Sequence, residues 1–418
     1  MRTVYPIPFF VVDRPMSLEL LKFCEINKLP FRIGLMGHAN TSKNFQREFK
    51  NYKEKNIIKM VDSGVFSKDG CKHDYFSLFE TYEKMDVEFG VIIDVLKNKD
   101  KTIKSANEAM RIYKDGDYRF KLVGVAQGND VKEYLECYKE LKKLGYEYIA
   151  IGGLLKKIEN SSRYVRVRDE NFLKNIVAKI RAKYPNDWLF LLGCFHPKRI
   201  ELFRSYKIFG ADYKGWILNY KPPTPEEKST KSKEELRERR FIQVKKYLYT
   251  NVFSNYLEIK RKLLIIPCSK TKKNIKGELP AIDLYDGPFF KLLRKYANIP
   301  FLDVYIISAK YGLIEAFEPI KKYDLRMNSR RASELRASIT KHLETIIKTN
   351  NYSDILINLG NDYLVVLDGW LEELVSNNRR INVICLKGKI GERLGQMKKW
   401  LDSLKSLEVS TSVDKKRV

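Results

Sequence analysis

The sequence has no Cys-x-x-Cys pair, no apolar run of about 18 residues and no secretory leader pattern at its start. Its six cysteines, Cys24, Cys71, Cys137, Cys194, Cys268 and Cys385, are scattered. That spacing argues against a disulfide framework and against a cysteine-rich zinc ribbon, so reduced thiols are expected. Met1-Arg2-Thr3-Val4-Tyr5-Pro6 lacks the apolar stretch of a signal peptide, and a cytoplasmic protein with no membrane partner is expected. No low-complexity region dominates, and no internal repeat of about 20 to 50 residues is visible. Acidic residues are also short: 52 Asp and Glu stand against 79 Lys and Arg, leaving a net charge of +27. That excess is larger than solubility requires and points to a polyanionic partner, nucleic acid first.

Hydrophobic residues make up 44% of 418, enough for two domains or for a large barrel with a smaller domain. Eight short apolar runs alternate with helical spacing up to about residue 220: 8–12, 32–36, 57–61, 90–93, 120–126, 148–151, 188–192 and 207–211. Eight strand-helix units of this length predict a (β/α)8 barrel over residues 1–220, with functional residues at the C-terminal ends of its strands. Residues 221–262, opening on Pro222-Pro223-Thr224-Pro225, read as a basic linker and a long helix from Ser232 to about Arg261. Apolar strands restart at Leu263, Val304, Ile355 and Ile381, predicting a smaller, mostly parallel α/β domain over 263–406, and 407–418 reads as a flexible tail.

The barrel strands close on polar or small residues: Asp62-Ser63-Gly64, Asp94, Gln127-Gly128, Gly152-Gly153, Gly193 and Asp212. A single Asp at such a position reads as a cap of the next helix. Three of them, with a carboxamide and a glycine pair, suit recognition of a planar heterocycle. Guanine presents N–H donors that a carboxylate accepts and a carbonyl oxygen that an amide side chain or backbone N–H meets.

In their order along the chain these segments resemble the motifs of the tRNA-guanine transglycosylase family. Asp62-Ser63-Gly64-Val65-Phe66-Ser67 is similar to that family's Asp-Ser-Gly-Gly-Phe-Gln, Ala126-Gln127-Gly128 to its Val-Gln-Gly, and Ile151-Gly152-Gly153-Leu154 to its Ile-Gly-Gly-Leu. The resemblance implies base exchange through a covalent Asp-nucleotide intermediate, which is retaining glycosyl chemistry. It implies Asp62 as general acid/base, Asp94 as reader of the guanine N–H edge, Gln127 and the Gly153 backbone as contacts to the carbonyl oxygen, and Asp212 as nucleophile. Ser63, Gly64, Gly128, Gly152 and Gly193 complete the implied base site. Without a gap the family's second Asp falls on Gly215, so Asp212 would act from three residues earlier.

The structural-zinc motif of the tRNA enzymes has no counterpart after Trp216. No metal or other cofactor is expected, although Cys71-Lys72-His73 and Cys194-Phe195-His196 are zinc-compatible in type. These departures resemble the DNA-directed, DpdA-type branch, which implies DNA as polymer, with tRNA as the alternative. They also imply a free 7-deazaguanine base, 7-cyano-7-deazaguanine foremost, as the incoming group, and a helper ATPase or other modification-system proteins as further partners. A non-catalytic guanine- or nucleic-acid-binding protein is the reading outside this class. Lys156, Lys157, Arg163, Arg166 and Arg168, near Tyr164, are candidates for holding phosphates, or else form a solvated loop.

In the second domain, 267–272, 281–287, 308–314 and 323–324 resemble a YaaA-related domain. The resemblance implies either docking of nucleic acid or conversion of a nitrile on the inserted base to an amide. Cys268 would be the nucleophile, Ser269 lies beside it, and Lys270 or Lys310 would lower the thiol pKa.

Overall fold

The computed structural model describes residues 6–65, 70–157, 164–167, 169–257, 260–350, 352–377 and 380–410, with 155–157, 164–167, 377 and 406–410 as backbone only. Two compact units divide the chain, Met1–Leu218 and Asn219–Val418. Among the described residues, no helix is long and apolar enough to cross a membrane.

The first unit is built on β1 (Ile7–Val11), β2 (Ile33–His38), β3 (Ile57–Asp62), β4 (Phe89–Val91), β5 (Lys121–Ala126) and β6 (Tyr148–Ile151). A two-stranded ribbon follows, β7 (Leu155–Lys157) antiparallel to β8 (Tyr164–Val167), and then β9 (Trp188–Leu191) and β10 (Gly210–Tyr213). All strands but the ribbon's pair in parallel, in the order β1-β10-β9-β6-β5-β4-β3-β2, and the sheet closes. Closure is visible at Phe9, which faces Gly34 of β2 on one side and Asp212 of β10 on the other. The expected (β/α)8 barrel is therefore present, with helices between its strands. Five of these helices start on Ser42, Asp74, Asn98, Asp130 and Asp169, whose side chains accept backbone N–H groups of the first turn.

Aromatic rings dominate one layer of the barrel interior. Phe9 meets Phe190 edge-on at 4.9 Å, and Trp188 lies 4.8 Å from Phe209 and 5.2 Å from Phe89. Such rings need small neighbours: a Cβ on Gly34 would sit 2.1 Å from the Phe9 ring. Burying a phenylalanine of this kind contributes roughly 1.5–3 kcal/mol.

Among the boundaries that differ from those read in the sequence, three change how the chain is divided. The last barrel strand starts at Gly210 rather than Lys207, because Lys207 takes a left-handed turn with φ of 49° after the helix Ile200–Ser205. Asp212 consequently lies inside a strand. The long basic helix ends at Tyr247, not near Arg261, and passes into a π-helical turn, Leu248–Val252, and a 3-10 turn, Phe253–Asn255. The final helix, Ile390–Ser410, runs past 406, where a tail was expected to begin, because its apolar side chains Met397, Leu401 and Leu404 are anchored in the core. Residues 411–418 lie outside the described ones.

The second unit has a five-stranded sheet of β11 (Arg261–Pro267), β13 (Leu302–Ser308), β14 (Gly312–Glu315), β16 (Tyr352–Ile357) and β17 (Asn382–Cys385), in the order β14-β13-β11-β16-β17. Only β14 is antiparallel to its neighbour, and β12 (Glu278–Pro280) forms a separate ribbon with β15 (Pro319–Lys321). The central strand β11 is covered on both faces. Leu263 and Ile265 pack with Ile339, Leu343 and Ile346 of the helix Ser329–Thr349, while Leu264 and Ile266 pack with the cluster holding Met397, Leu401 and Leu404. That double cover explains the unbroken apolar run. The basic helix Lys233–Tyr247 belongs to this unit: Lys246 reaches Asp303 at 3.1 Å, and Asp303 also accepts the Tyr352 hydroxyl at 2.7 Å and pairs with Arg261. Burial alone would raise the Asp303 carboxyl, but Lys246 and Arg261 hold it below its ordinary value.

Candidate active site

Asp62, Asp94, Gln127, Gly152, Gly153, Gly193 and Asp212 all fall at the C-terminal ends of barrel strands, the end where such barrels carry their chemistry. None of the three aspartates caps a helix. Asp62 ends β3 opposite His38, and its Oδ1 accepts the N–H of Gly64 in the turn. Asp212 accepts the N–H of Gly193 at 2.5 Å, while its own carbonyl accepts the N–H of Phe195 at 3.0 Å.

Asp94 sits in the loop after β4, and that loop is fixed on both sides. The Ile93 backbone exchanges hydrogen bonds with the Tyr75 hydroxyl and accepts the Ser105 hydroxyl at 2.6 Å. On the other side, the N–H of Val95 donates to Thr102 at 3.0 Å. Gln127 then donates through Nε2 to Asp94 Oδ2 at 2.5 Å and accepts the N–H of Lys97 at 3.1 Å. Gln127 is wholly buried, and both ends of its amide are used. In this arrangement it orients Asp94 rather than facing an incoming base.

The glycine pair after β6 permits that contact. A Cβ on Gly152 would lie 2.6 Å from Gln127 Nε2, and one on Gly153 would lie 2.3 Å from Gln127 Oε1. Gly153 also takes φ of +68°, a conformation that L side chains rarely adopt. Gly128 lies buried in the loop between β5 and its helix, and Ser63 is buried beside Asp62.

Burial is the largest cause acting on all three carboxyls, and it pushes each upward. Asp94 rises to about 6, opposed by the Gln127 hydrogen bond and reinforced by the charge of Asp62. Asp212 rises to about 7, opposed by the Gly193 N–H and again reinforced by Asp62. Half-buried Asp62 is also raised, with the Gly64 N–H, His38 and Lys214 acting against the rise. Asp13, after β1, runs the other way: burial would raise it, but Arg14 at 2.9 Å, Lys214 and His38 hold it below the ordinary value. Acidic groups with separated proton affinities thus share one mouth, as acid-base and nucleophilic work requires.

Asp13, His38 and Lys214 were not singled out in the sequence. Val11-Val12-Asp13 has the same apolar-to-carboxylate ending as the other strands, and that signal was available. Phe76 was missed as well: it begins the helix after β3 with 64% of its surface exposed, so a bare ring lies on the same end of the barrel. A cleft of about 350 Å³ lined by Lys22, Asn51, Tyr52 and Glu54 lies among the loops that enter the strands, at the opposite face.

Of the basic candidates, Lys156, Lys157 and Arg166 are on the ribbon that follows β6, whose backbone alone is described, and Arg163 and Arg168 lie outside the described residues. Phe66 and Ser67 are outside them too. Among the described residues, no three His, Cys, Asp or Glu side chains converge to hold a metal. Cys194 is buried and its thiol is pushed far up, while His196 accepts the N–H of Lys198 at 3.2 Å.

In the second unit Cys268 follows the central strand, and its Sγ lies 3.0 Å from the Tyr363 hydroxyl. The motifs at 267–272, 281–287, 308–314 and 323–324 converge there. The hydroxyls of Tyr285, Ser308 and Tyr323 form a closed set with Tyr323 2.8 Å from each of the others, and Lys272 Nζ stands 4.2 Å above the Tyr323 ring. Burial pushes Tyr323 and Tyr363 far upward, and the charge of Cys268 adds to both. Ser269 accepts the N–H of Thr271 at 3.2 Å. Of the expected lysines, Lys270 is exposed, and Lys310 lies 5.9 Å from the Tyr323 ring. Lys272 is the one lowered by burial, with Cys268 opposing.

Fold and site together define a TIM-type α/β protein with an acidic barrel mouth and a second α/β unit carrying a thiol. Residues 263–402 match a family of unknown function, DUF6884. No match is found among the curated proteins. Among solved structures, the YdjI aldolase from Escherichia coli K12 is similar at 13% identity over 58% of this chain and 88% of that one, with a TM-score of 0.39. A native KDPGal structure is similar at 10% identity over 58% and 96%, with a TM-score of 0.34. Likenesses this distant carry no functional argument, and the barrel assignment rests on strand pairing.

Proposed function

We propose that the barrel is a base-exchange transglycosylase that replaces guanine in DNA with a 7-deazaguanine. The observation that carries this reading is the carboxylate set at one strand end: Asp94 oriented by Gln127, and Asp212 and Asp62 each fixed by a backbone N–H. Asp94, once ionised, accepts the N1 and N2 protons of the base, and the Gly153 N–H meets its carbonyl oxygen, the Gly152 N–H being taken by the Ala126 carbonyl at 3.1 Å. Asp212 attacks C1′ of the nucleotide as guanine leaves. Asp62, with its raised proton affinity, protonates the departing base and then deprotonates the incoming one. Charge supports the choice of a nucleic-acid polymer, since the net +27 accompanies a ribbon rich in Lys and Arg inserted at the mouth end of the barrel.

A guanine in duplex DNA must leave the stack to reach such a site, and exposed Phe76 offers a face for an unstacked base. The second unit, in this reading, docks the polymer or converts a nitrile on the inserted base to the amide. Binding without chemistry is favoured by one observation: Gly215, where the resemblance places the nucleophile, lies in the turn Gly215–Leu218 and carries no carboxylate. Incubating the protein with labelled guanine and DNA separates the two. Label in the polymer, abolished by Asp212→Asn, supports exchange; binding without incorporation supports the second reading.

A further inference from the structure

We infer that the second unit is a separate reaction centre, with Cys268 as nucleophile toward an unsaturated carbon bearing oxygen or nitrogen on an anionic substrate. Its position is the first support. The chain leaves β11 toward β13 on one side and returns to β16 on the other, so the sheet reverses its winding beside β11. Open α/β sheets bind ligands outside the carboxyl ends of their strands at such a reversal. Cys268 follows β11, and Asn358, Gly360 and the turn bearing Tyr363 follow β16 at the same edge.

The second support is the chemistry gathered there. Tyr363 meets the sulfur at 3.0 Å, and close by the Tyr323 hydroxyl is held by Tyr285 and Ser308, each at 2.8 Å. Packing alone does not call for a hydroxyl directed at a sulfur. The third support is Arg393, only 8% exposed, whose Nη1 donates to Asn358 at 3.2 Å and whose Nε has no partner among the described residues. Its guanidinium lies beside Gly360, where a Cβ would be 3.8 Å from Nη2. Among the described residues no carboxylate pairs with it, while the Phe289 ring lies 5.6 Å from it, and a buried cation in that setting is costly unless an anion completes it.

In the reaction this implies, Sγ bonds to the carbon and the π pair moves to the heteroatom. The thiol proton passes to the Tyr363 oxygen as the phenol proton moves to the heteroatom. Where the carbon carries a leaving group, as in an ester, the pair returns from the heteroatom and expels that group as its bond to the carbon breaks; water then adds to the carbon, and the C–S bond breaks with its pair taking a water proton to restore the thiol. Neither an oxidant nor a reductant is needed. Nothing in this step depends on exchange in the barrel.

The test is acylation of the whole folded chain by p-nitrophenyl acetate, with the acetyl group mapped by mass spectrometry. Cys71 and Cys385, which are also partly exposed, serve as internal comparators. Cys268 should acylate at least about tenfold faster than either, and Tyr363→Phe should slow Cys268 about tenfold while leaving the other two unchanged. Inorganic phosphate should slow labelling of Cys268 in the wild type but not in Arg393→Gln. Equal labelling of the three thiols would overturn the nucleophile, and indifference of Cys268 to phosphate would overturn the anion site. An Asp212→Asn protein, inactive in exchange, should still label at Cys268, so the two proposals fail independently.

Discussion

Gln127 holds Asp94 through a 2.5 Å hydrogen bond from its amide nitrogen, while its amide oxygen is taken by the N–H of Lys97. A buried carboxylate with one strong donor depends on that donor for its charge. Gln127→Leu therefore raises the Asp94 pKa above about 6, and fewer molecules hold the ionised Asp94 that base recognition needs. Exchange in this variant should fall by roughly tenfold at pH 6.5 and recover toward pH 8. A pH profile identical to wild type would remove Gln127 from the site.

Asp212 provides a test in stability. Its pKa is about 7 in the fold against an ordinary 3.8, so the folded state favours the protonated form. The resulting stability is complete below about pH 4 and is lost as pH rises through 7. Asp212→Asn keeps the acceptor for Gly193 and avoids the buried charge, so it should be more stable than wild type at pH 8, by roughly 1–3 kcal/mol, and equal to it at pH 4. Urea unfolding at both pH values decides this. The same variant should have no exchange activity, so stability and function move in opposite directions.

Lys214 acts on Asp13, Asp62 and Asp212 together, lowering each. If Asp212 must be ionised to attack, the rate rises through about pH 7. Lys214→Met should move that rising limb to higher pH and leave the plateau within about threefold. A limb that does not move would place the kinetically important ionisation elsewhere.

Polymer binding separates into charge and stacking. Replacing Lys156, Lys157, Arg163, Arg166 and Arg168 by Gln should weaken single-stranded DNA binding and flatten its salt dependence, by about 0.7 in the logarithmic slope for each phosphate no longer neutralised. Phe76→Ala should weaken binding by roughly 1–3 kcal/mol with the slope unchanged. Should both variants change the slope alike, Phe76 would have no stacking role.

What the sequence disclosed followed from periodicity. The eight apolar runs foretold the barrel because each buried parallel strand must be apolar on both faces, and the polar residue that ends each run marks the mouth. Asp62, Asp94, Gln127 and Asp212 were legible for that reason. The role of Gln127 was not, because its bond to Asp94 spans 33 residues and depends on two glycines after a third strand. Tyr363 was hidden for the same cause: it is 95 residues from Cys268, and an aromatic residue in a short helix carries no local mark of its partner. Lys272 rather than Lys270 faces the thiol cluster, a distinction fixed by the conformation of one loop. Lys207, with positive φ, delayed the last strand in a way that no residue preference announced.

Base exchange in the barrel is tested by incorporation of radiolabelled guanine into polymer, run in parallel with duplex DNA, single-stranded DNA and bulk tRNA, with Asp62→Asn and Asp212→Asn as controls. Exchange of guanine for itself requires no knowledge of the deazaguanine. Label should enter DNA, with none in tRNA and none with either variant. Label in tRNA, or label in DNA that survives Asp212→Asn, would contradict that reading of the barrel.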